Sequence, residues 1–139
     1  MRHSLTLAIA SMAVTGFAQA GVLTSGNLII ERVGDGTTTL GSAATTVAVQ
    51  EYARTGGAAV QTIAMPTSGA NQVTDSGSAT SNGYLNVYNG YVGISGYNSA
   101  AGTASVAGLN TKVGTVLGSD GSVASRNLFP TGGATGTPP

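Results

Sequence analysis

Residues 84–97 read YLNVYNGYVGISGY, and this stretch decides the fold class. Asn89-Gly90 is the favoured pair for a two-residue type I′ turn, because both central positions of that turn need a positive φ. The turn sets the register. Tyr88 is expected to face Tyr91, Val87 to face Val92, and Leu85 to face Ile94. One face then collects Leu85, Val87, Val92 and Ile94 as an apolar patch. The other carries Tyr84, Asn86, Tyr88, Tyr91 and Ser95. Side chains alternate with period two along a strand, so the assignment follows from the turn alone.

The same pattern extends in both directions. Leu28, Ile30 and Arg32 alternate with Ile29, Glu31 and Val33 in one predicted strand. Val47, Val49, Glu51 and Ala53 alternate with Ala48, Gln50, Tyr52 and Arg54 in a second. Val60 to Met65 is a third, ended by Pro66, and Thr55-Gly56-Gly57 is the turn before it. Towards the C-terminus, Lys112–Leu117 and Ser122–Leu128 form a further hairpin about Ser119-Asp120-Gly121. No segment after residue 20 keeps a helical period over a useful length.

Composition agrees with a strand-and-turn chain and limits its chemistry. Of 139 residues, 75 are Gly, Ala, Thr or Ser. Five basic and five acidic side chains give no net charge. Nucleic-acid binding is not expected, because phosphate neutralisation needs an excess of Lys and Arg. The chain has no cysteine, so no disulfide framework or thiol nucleophile is available.

The first twenty residues, MRHSLTLAIASMAVTGFAQA, have the three parts of an export signal. Arg2 and His3 give the basic start, Leu5 to Phe17 the apolar stretch, and Ala18-Gln19-Ala20 the small-x-small cleavage site. Cleavage after Ala20 is expected, with a secreted or periplasmic product and no membrane attachment afterwards. His3 is the sole histidine and leaves with the signal. Residues 21–139 then lack the groups for a Ser-His-Asp triad or a His-ligated metal.

Sliding the chain on itself by 64 positions aligns Gly26 with Gly90, Val49 with Val113, Gly57 with Gly121 and Pro66-Thr67 with Pro130-Thr131. Ten identities fall within residues 26–70. Each unit reads as strand, long loop, strand, turn, strand and proline. With Tyr84–Tyr88 added, the second unit has four strands and the first has three. Repeated four-stranded antiparallel units are the mark of a β-propeller. GNLIIERVGDG, VAVQEYARTGGAAVQTIAMP and GYNSAAGTASVAG resemble the N-terminal part of secreted bacterial β-propeller proteins, whose pattern runs GNLVVYRVGDG and then an E-Y-x-x-x-G hairpin. The resemblance spans residues 26–128 and transfers no catalytic residue. It implies several blades closed into a ring, and the pattern asks for more chain than 139 residues supply.

The fold expected is therefore all-β, with antiparallel sheets resembling two blades of an incomplete propeller, or alternatively a small β-sandwich. The divisions expected are a signal at 1–20, a three-stranded unit at 21–82, a four-stranded unit at 83–130 and a Gly/Thr/Pro tail at 131–139.

Candidate chemistry is sparse. Asp35-Gly36 and Asp120-Gly121 read as turns, although an oxygen ligand beside a glycine also suits Ca²⁺. Glu31 and Glu51 are the carboxylates that a two-carboxylate hydrolytic site would use. No G-x-S-x-G is present. Tyr84, Tyr88, Tyr91 and Tyr97 fall within one short stretch and could bind a glycan or a protein, or pack between sheets. The expected function is a non-catalytic binding or structural module with no cofactor and no metal, a fragment of a propeller protein. A fragment of a propeller-type enzyme, or a surface protein that self-associates through open strand edges, is the alternative.

Overall fold

The computed structural model describes residues 21–109 and 111–127. The expected signal peptide and the C-terminal tail lie outside them. The described chain is all-β, an open antiparallel sheet with one short 3₁₀ turn.

Eight strands run in chain order: β1 (Leu28–Val33), β2 (Ala44–Tyr52), β3 (Gln61–Ala64), β4 (Thr74–Ser76), β5 (Asn86–Tyr88), β6 (Tyr91–Tyr97), β7 (Lys112–Gly118) and β8 (Val123–Asn127). They join in the order β1-β2-β4-β6-β7-β8, with β3 added beside β2 and β5 beside β6. The hairpin around Asn89-Gly90 forms in the expected register, Val87 opposite Val92 and Tyr88 opposite Tyr91. Both turn residues take the left-handed conformation, Asn89 at φ 50° and Gly90 at φ 82°.

Residues opposite each other in a ladder share a face. Following the ladders outward from β2 sorts the whole sheet into two faces. The inner face holds Val47, Val49, Ile63, Met65, Val73, Val92, Ile94, Val113 and Leu117, which form one buried apolar cluster. Burying each such side chain contributes about 1.5–3 kcal/mol. Both sequence units therefore share one core. A smaller cluster of Ala44, Tyr97 and Val106 lies on the outer face, where Val106–Gly108 forms the 3₁₀ turn.

β4 is the element that sequence reading missed. It pairs with β2 through Thr45 opposite Asp75, and with β6 through Thr74 opposite Tyr97. Only three residues long, it stitches the three-stranded and four-stranded parts into one sheet.

The 64-residue correspondence meets a slip of one position. Val49 pairs with Ile63, and 64 positions on Val113 pairs with Asn127. By contrast, Arg32 pairs with Ala48, whereas Lys112 pairs with Tyr97 instead of Gly96. Ile29, not Ile30, thus occupies the place corresponding to Ile94. Burial agrees, since Ile29 packs against the core and Ile30 is 46% exposed. The connection from β1 to β2 holds the extra residue, since Ile29 and its partner Glu51 are 22 positions apart and Ile94 and its partner Thr115 are 21.

The expected apolar patch needs one correction. Val92 and Ile94 are buried and Leu85 packs against the core, but Val87 is 65% exposed. Its strand β5 is an outermost strand paired only with β6, so the core ends before reaching it.

Candidate functional site

Two arrangements stand out, one on each face of the sheet. On the outer face, Tyr84, Tyr88 and Tyr91 are 75%, 80% and 55% exposed. Tyr88 and Tyr91 are direct cross-strand partners beside the Asn89-Gly90 turn. An open groove of about 480 Å³ is lined by Tyr84 together with Asn86, Gly93, Ile94, Ser95, Gly114, Thr115 and Val116. Gly93 and Gly114 make its floor low, because neither raises a side chain from the strand. Tyr84 at this mostly apolar groove, and the exposed pair Tyr88 and Tyr91, can stack on a flat ligand and donate hydrogen bonds from their hydroxyls.

Tyr97 does not join them. It lies at the far end of β6 and is 6% exposed, packed with Ala44 and Val106. The Nζ of Lys112, its ladder partner, sits 3.6 Å from the ring centroid. That cation–π contact and the covering segment give Tyr97 a structural place. Tyr52 is half-buried, its hydroxyl donating to Oε1 of Gln50 at 3.1 Å.

The inner face carries the carboxylates. Glu51 is fully buried, and its oxygens are saturated. The Thr24 amide and Asn27 Nδ2 donate to Oε1 at 2.9 and 2.6 Å, and Gln61 Nε2 donates to Oε2 at 2.6 Å. Burial pushes its pKa up, but those hydrogen bonds outweigh it and hold the carboxyl below its ordinary value. Glu51 thereby fastens the chain before β1 to β2 and β3. An acid so engaged is committed to structure.

Glu31 is the opposite case. It stands on β1 opposite Val49, on the same face as Glu51, yet both of its carboxylate oxygens are buried without a hydrogen-bond partner. Its electrostatic neighbour is Asp75 on β4, so the pairing with Glu51 considered from sequence gives way to a Glu31–Asp75 pair. Burial first, and the Asp75 charge second, raise Glu31 to about 7. Asp75 is 1% exposed. Its Oδ1 accepts from the Ser76 amide at 2.6 Å and from Asn82 Nδ2, while Oδ2 has no partner. Burial raises its pKa too, against those hydrogen bonds and the charge of Lys112.

Asp35 behaves as a turn residue. Its Oδ1 accepts from the amides of Thr37 and Thr38, both at 2.8 Å, and its Oδ2 from Thr38 Oγ1 at 2.9 Å. These bonds hold its pKa well below the ordinary carboxylate range. Asp120 likewise accepts from the Ser122 amide and hydroxyl at 3.0 and 2.6 Å. Among the described residues, no three His, Cys, Asp or Glu side chains converge as metal ligands would.

No family model, curated protein or solved structure matches this chain. Function therefore has to be argued from the two faces themselves. Among the described residues, no helix is long and apolar enough to cross a membrane.

Proposed function

We propose that the protein is an exported, non-catalytic β-sheet module that binds a glycan or protein partner through Tyr84, Tyr88 and Tyr91. The observation that carries this reading is the exposure of all three rings, Tyr88 and Tyr91 as a cross-strand pair and Tyr84 lining a groove with a glycine floor. Exposed aromatic groups of this kind supply contact area at low entropic cost and are enriched in binding surfaces. Export is supported by the three-part pattern of residues 1–20.

As to architecture, the small-sandwich reading has better support than the propeller. Blades of a propeller are separate sheets, and each packs one face on the opposite face of the next. Here β4 links the two units edge to edge, and the corresponding residues Val49 and Val113 meet in the same core.

The test is retention of the purified protein on a panel of neutral and charged polysaccharides and on immobilised protein ligands. Wild type is expected to be retained, and the Tyr84→Ala/Tyr88→Ala/Tyr91→Ala variant to lose at least tenfold in affinity while keeping its circular dichroism spectrum. Equal retention of both proteins would refute the surface. A second reading, self-association, is favoured by one feature. β1 is an open edge strand on which Leu28 and Ile30 are 56% and 46% exposed. Such an edge can add a strand from another chain. Sedimentation velocity separates this reading from partner binding, since only self-association depends on the concentration of the protein alone.

A further inference from the structure

The inner face holds an imbalance that the tyrosine surface does not use. Glu31 Oε1, Glu31 Oε2 and Asp75 Oδ2 are all buried and all lack a hydrogen-bond donor. They come from strands on either side of β2: Glu31 from β1, opposite Val49, and Asp75 from β4, opposite Thr45. Both ladder positions lie on the inner face. Buried carboxylate oxygens without donors are costly, and two like charges on one buried face add to that cost.

The surroundings offer little relief. Lys112, on β7, lowers the energy of the Asp75 charge but is engaged with the Tyr97 ring. Glu51, the other acid on this face of β2, is saturated by Thr24, Asn27 and Gln61. Arg32 follows Glu31 but occupies an outer-face position opposite Ala48, and its Nε is itself buried without a partner. Asp35, in the loop after β1, is bound by Thr37 and Thr38. β3, with sequence QTIA, contributes no ionisable group, and β6 contributes only Tyr91 and Tyr97.

One proton changes the account. A protonated carboxyl carries no charge to bury. We propose that Glu31 holds a proton on the inner face against the charge of Asp75, making the β1–β2–β4 junction a clamp that tightens in mild acid and loosens at alkaline pH. The proton comes from solvent and resides on a Glu31 oxygen. Losing it leaves two buried anions and drives β1 away from β4. Because the groups are coupled, the observed titration belongs to the pair and not to either residue. The raised pKa values of both acids, about 7 for Glu31, agree with this direction.

The sign follows from proton linkage. A group that binds its proton more tightly when folded stabilises the fold below its unfolded pKa, and the benefit fades as pH rises through the folded pKa. For Glu31 that window runs from 4.5 to about 7. The experiment is equilibrium urea unfolding of the full protein at about pH 5 and about pH 8, for wild type, Glu31→Gln and Asp75→Asn, since each pKa unit is tenfold in the unfolding constant. The wild-type unfolding constant is expected to rise roughly tenfold or more across this range. Glu31→Gln, whose neutral amide replaces the protonated carboxyl, is expected to be flat and to exceed wild type in stability at the higher pH. Asp75→Asn is expected to flatten the step as well. Infrared spectra provide a readout that packing alone would not move. Wild type in mild acid should show the stretch of a protonated carboxyl, absent from Glu31→Gln. A wild-type protein indifferent to this pH change, or a step that survives in Glu31→Gln, would overturn the proposal. If Glu31→Gln fails to fold, Asp75→Asn and the wild-type infrared band still decide it.

Discussion

The hydroxyl of Thr74 is directed at the carbonyl oxygens of Tyr97 and Ser99, each 3.1 Å away, in the buried seam where β4 meets β6. Thr74 and Tyr97 are the ladder pair that joins the two halves of the sheet. Gly96, beside Tyr97, makes the approach possible. A Cβ there would lie 2.8 Å from the Thr74 carbonyl oxygen and 3.1 Å from Val73 Cγ1. Thr74→Val should therefore cost about 1–3 kcal/mol by leaving a buried carbonyl unpaired. Gly96→Ala should cost more, because backbone has to move. Gly93→Ala is the control, since its Cβ would meet Asn86 O at an ordinary 3.5 Å. Chemical denaturation of the three variants checks the order. A Gly96→Ala protein as stable as Gly93→Ala would argue against the seam.

The Asn89-Gly90 turn makes its own prediction. Gly90 sits at φ 82°, a conformation that costs an L-residue about 1–2 kcal/mol and a β-branched one more. Gly90→Val should lower stability by at least about 1 kcal/mol. Gly90→Asn should cost less, because Asn tolerates this region. Thermal melts of both variants provide the comparison.

Glu51 sets the acid limit of the fold. Its folded pKa lies below 4.5, so its contribution is present above that pH and is lost as pH falls through the folded value. Glu31 and Asp75 act in the opposite direction as pH rises, Glu31 between 4.5 and about 7. Stability should therefore be highest in mildly acidic solution and fall on both sides. Glu51→Gln should remove much of the acid limb. It should also cost about 1–3 kcal/mol near the optimum, because the new amide turns a donor towards Gln61. Urea midpoints measured across pH for wild type and Glu51→Gln test this, and an unaltered acid limb would contradict it.

How much of this was legible beforehand depended on whether the signal was local. The β5–β6 register followed from Asn89-Gly90, since that pair admits few other turns. β1, β2, β7 and β8 followed from alternation. β4 did not, because Val73-Thr74-Asp75-Ser76-Gly77 mixes strand and turn vocabulary and the strand exists only by pairing with two distant partners. The Glu31–Asp75 pair was hidden for the same reason. Tyr97 shares the outer-face alternation of Tyr91, but period two says which face a residue takes and not what covers it. The segment from Asn98 to Leu109 does the covering, and its apolar residues Val106 and Leu109 were the available hint. The match of Ile30 to Ile94 misled by one position, since identity in a chain rich in small residues carries no information about loop length.

The central functional claim is that Tyr84, Tyr88 and Tyr91 form an open surface while Tyr97 is enclosed. Nitration of the native protein with tetranitromethane, followed by peptide mapping, reads this directly. Tyr84, Tyr88 and Tyr91 should be modified rapidly, Tyr52 more slowly, and Tyr97 only after unfolding. Protection of Tyr88 and Tyr91 in the native monomer, or early modification of Tyr97, would contradict the account.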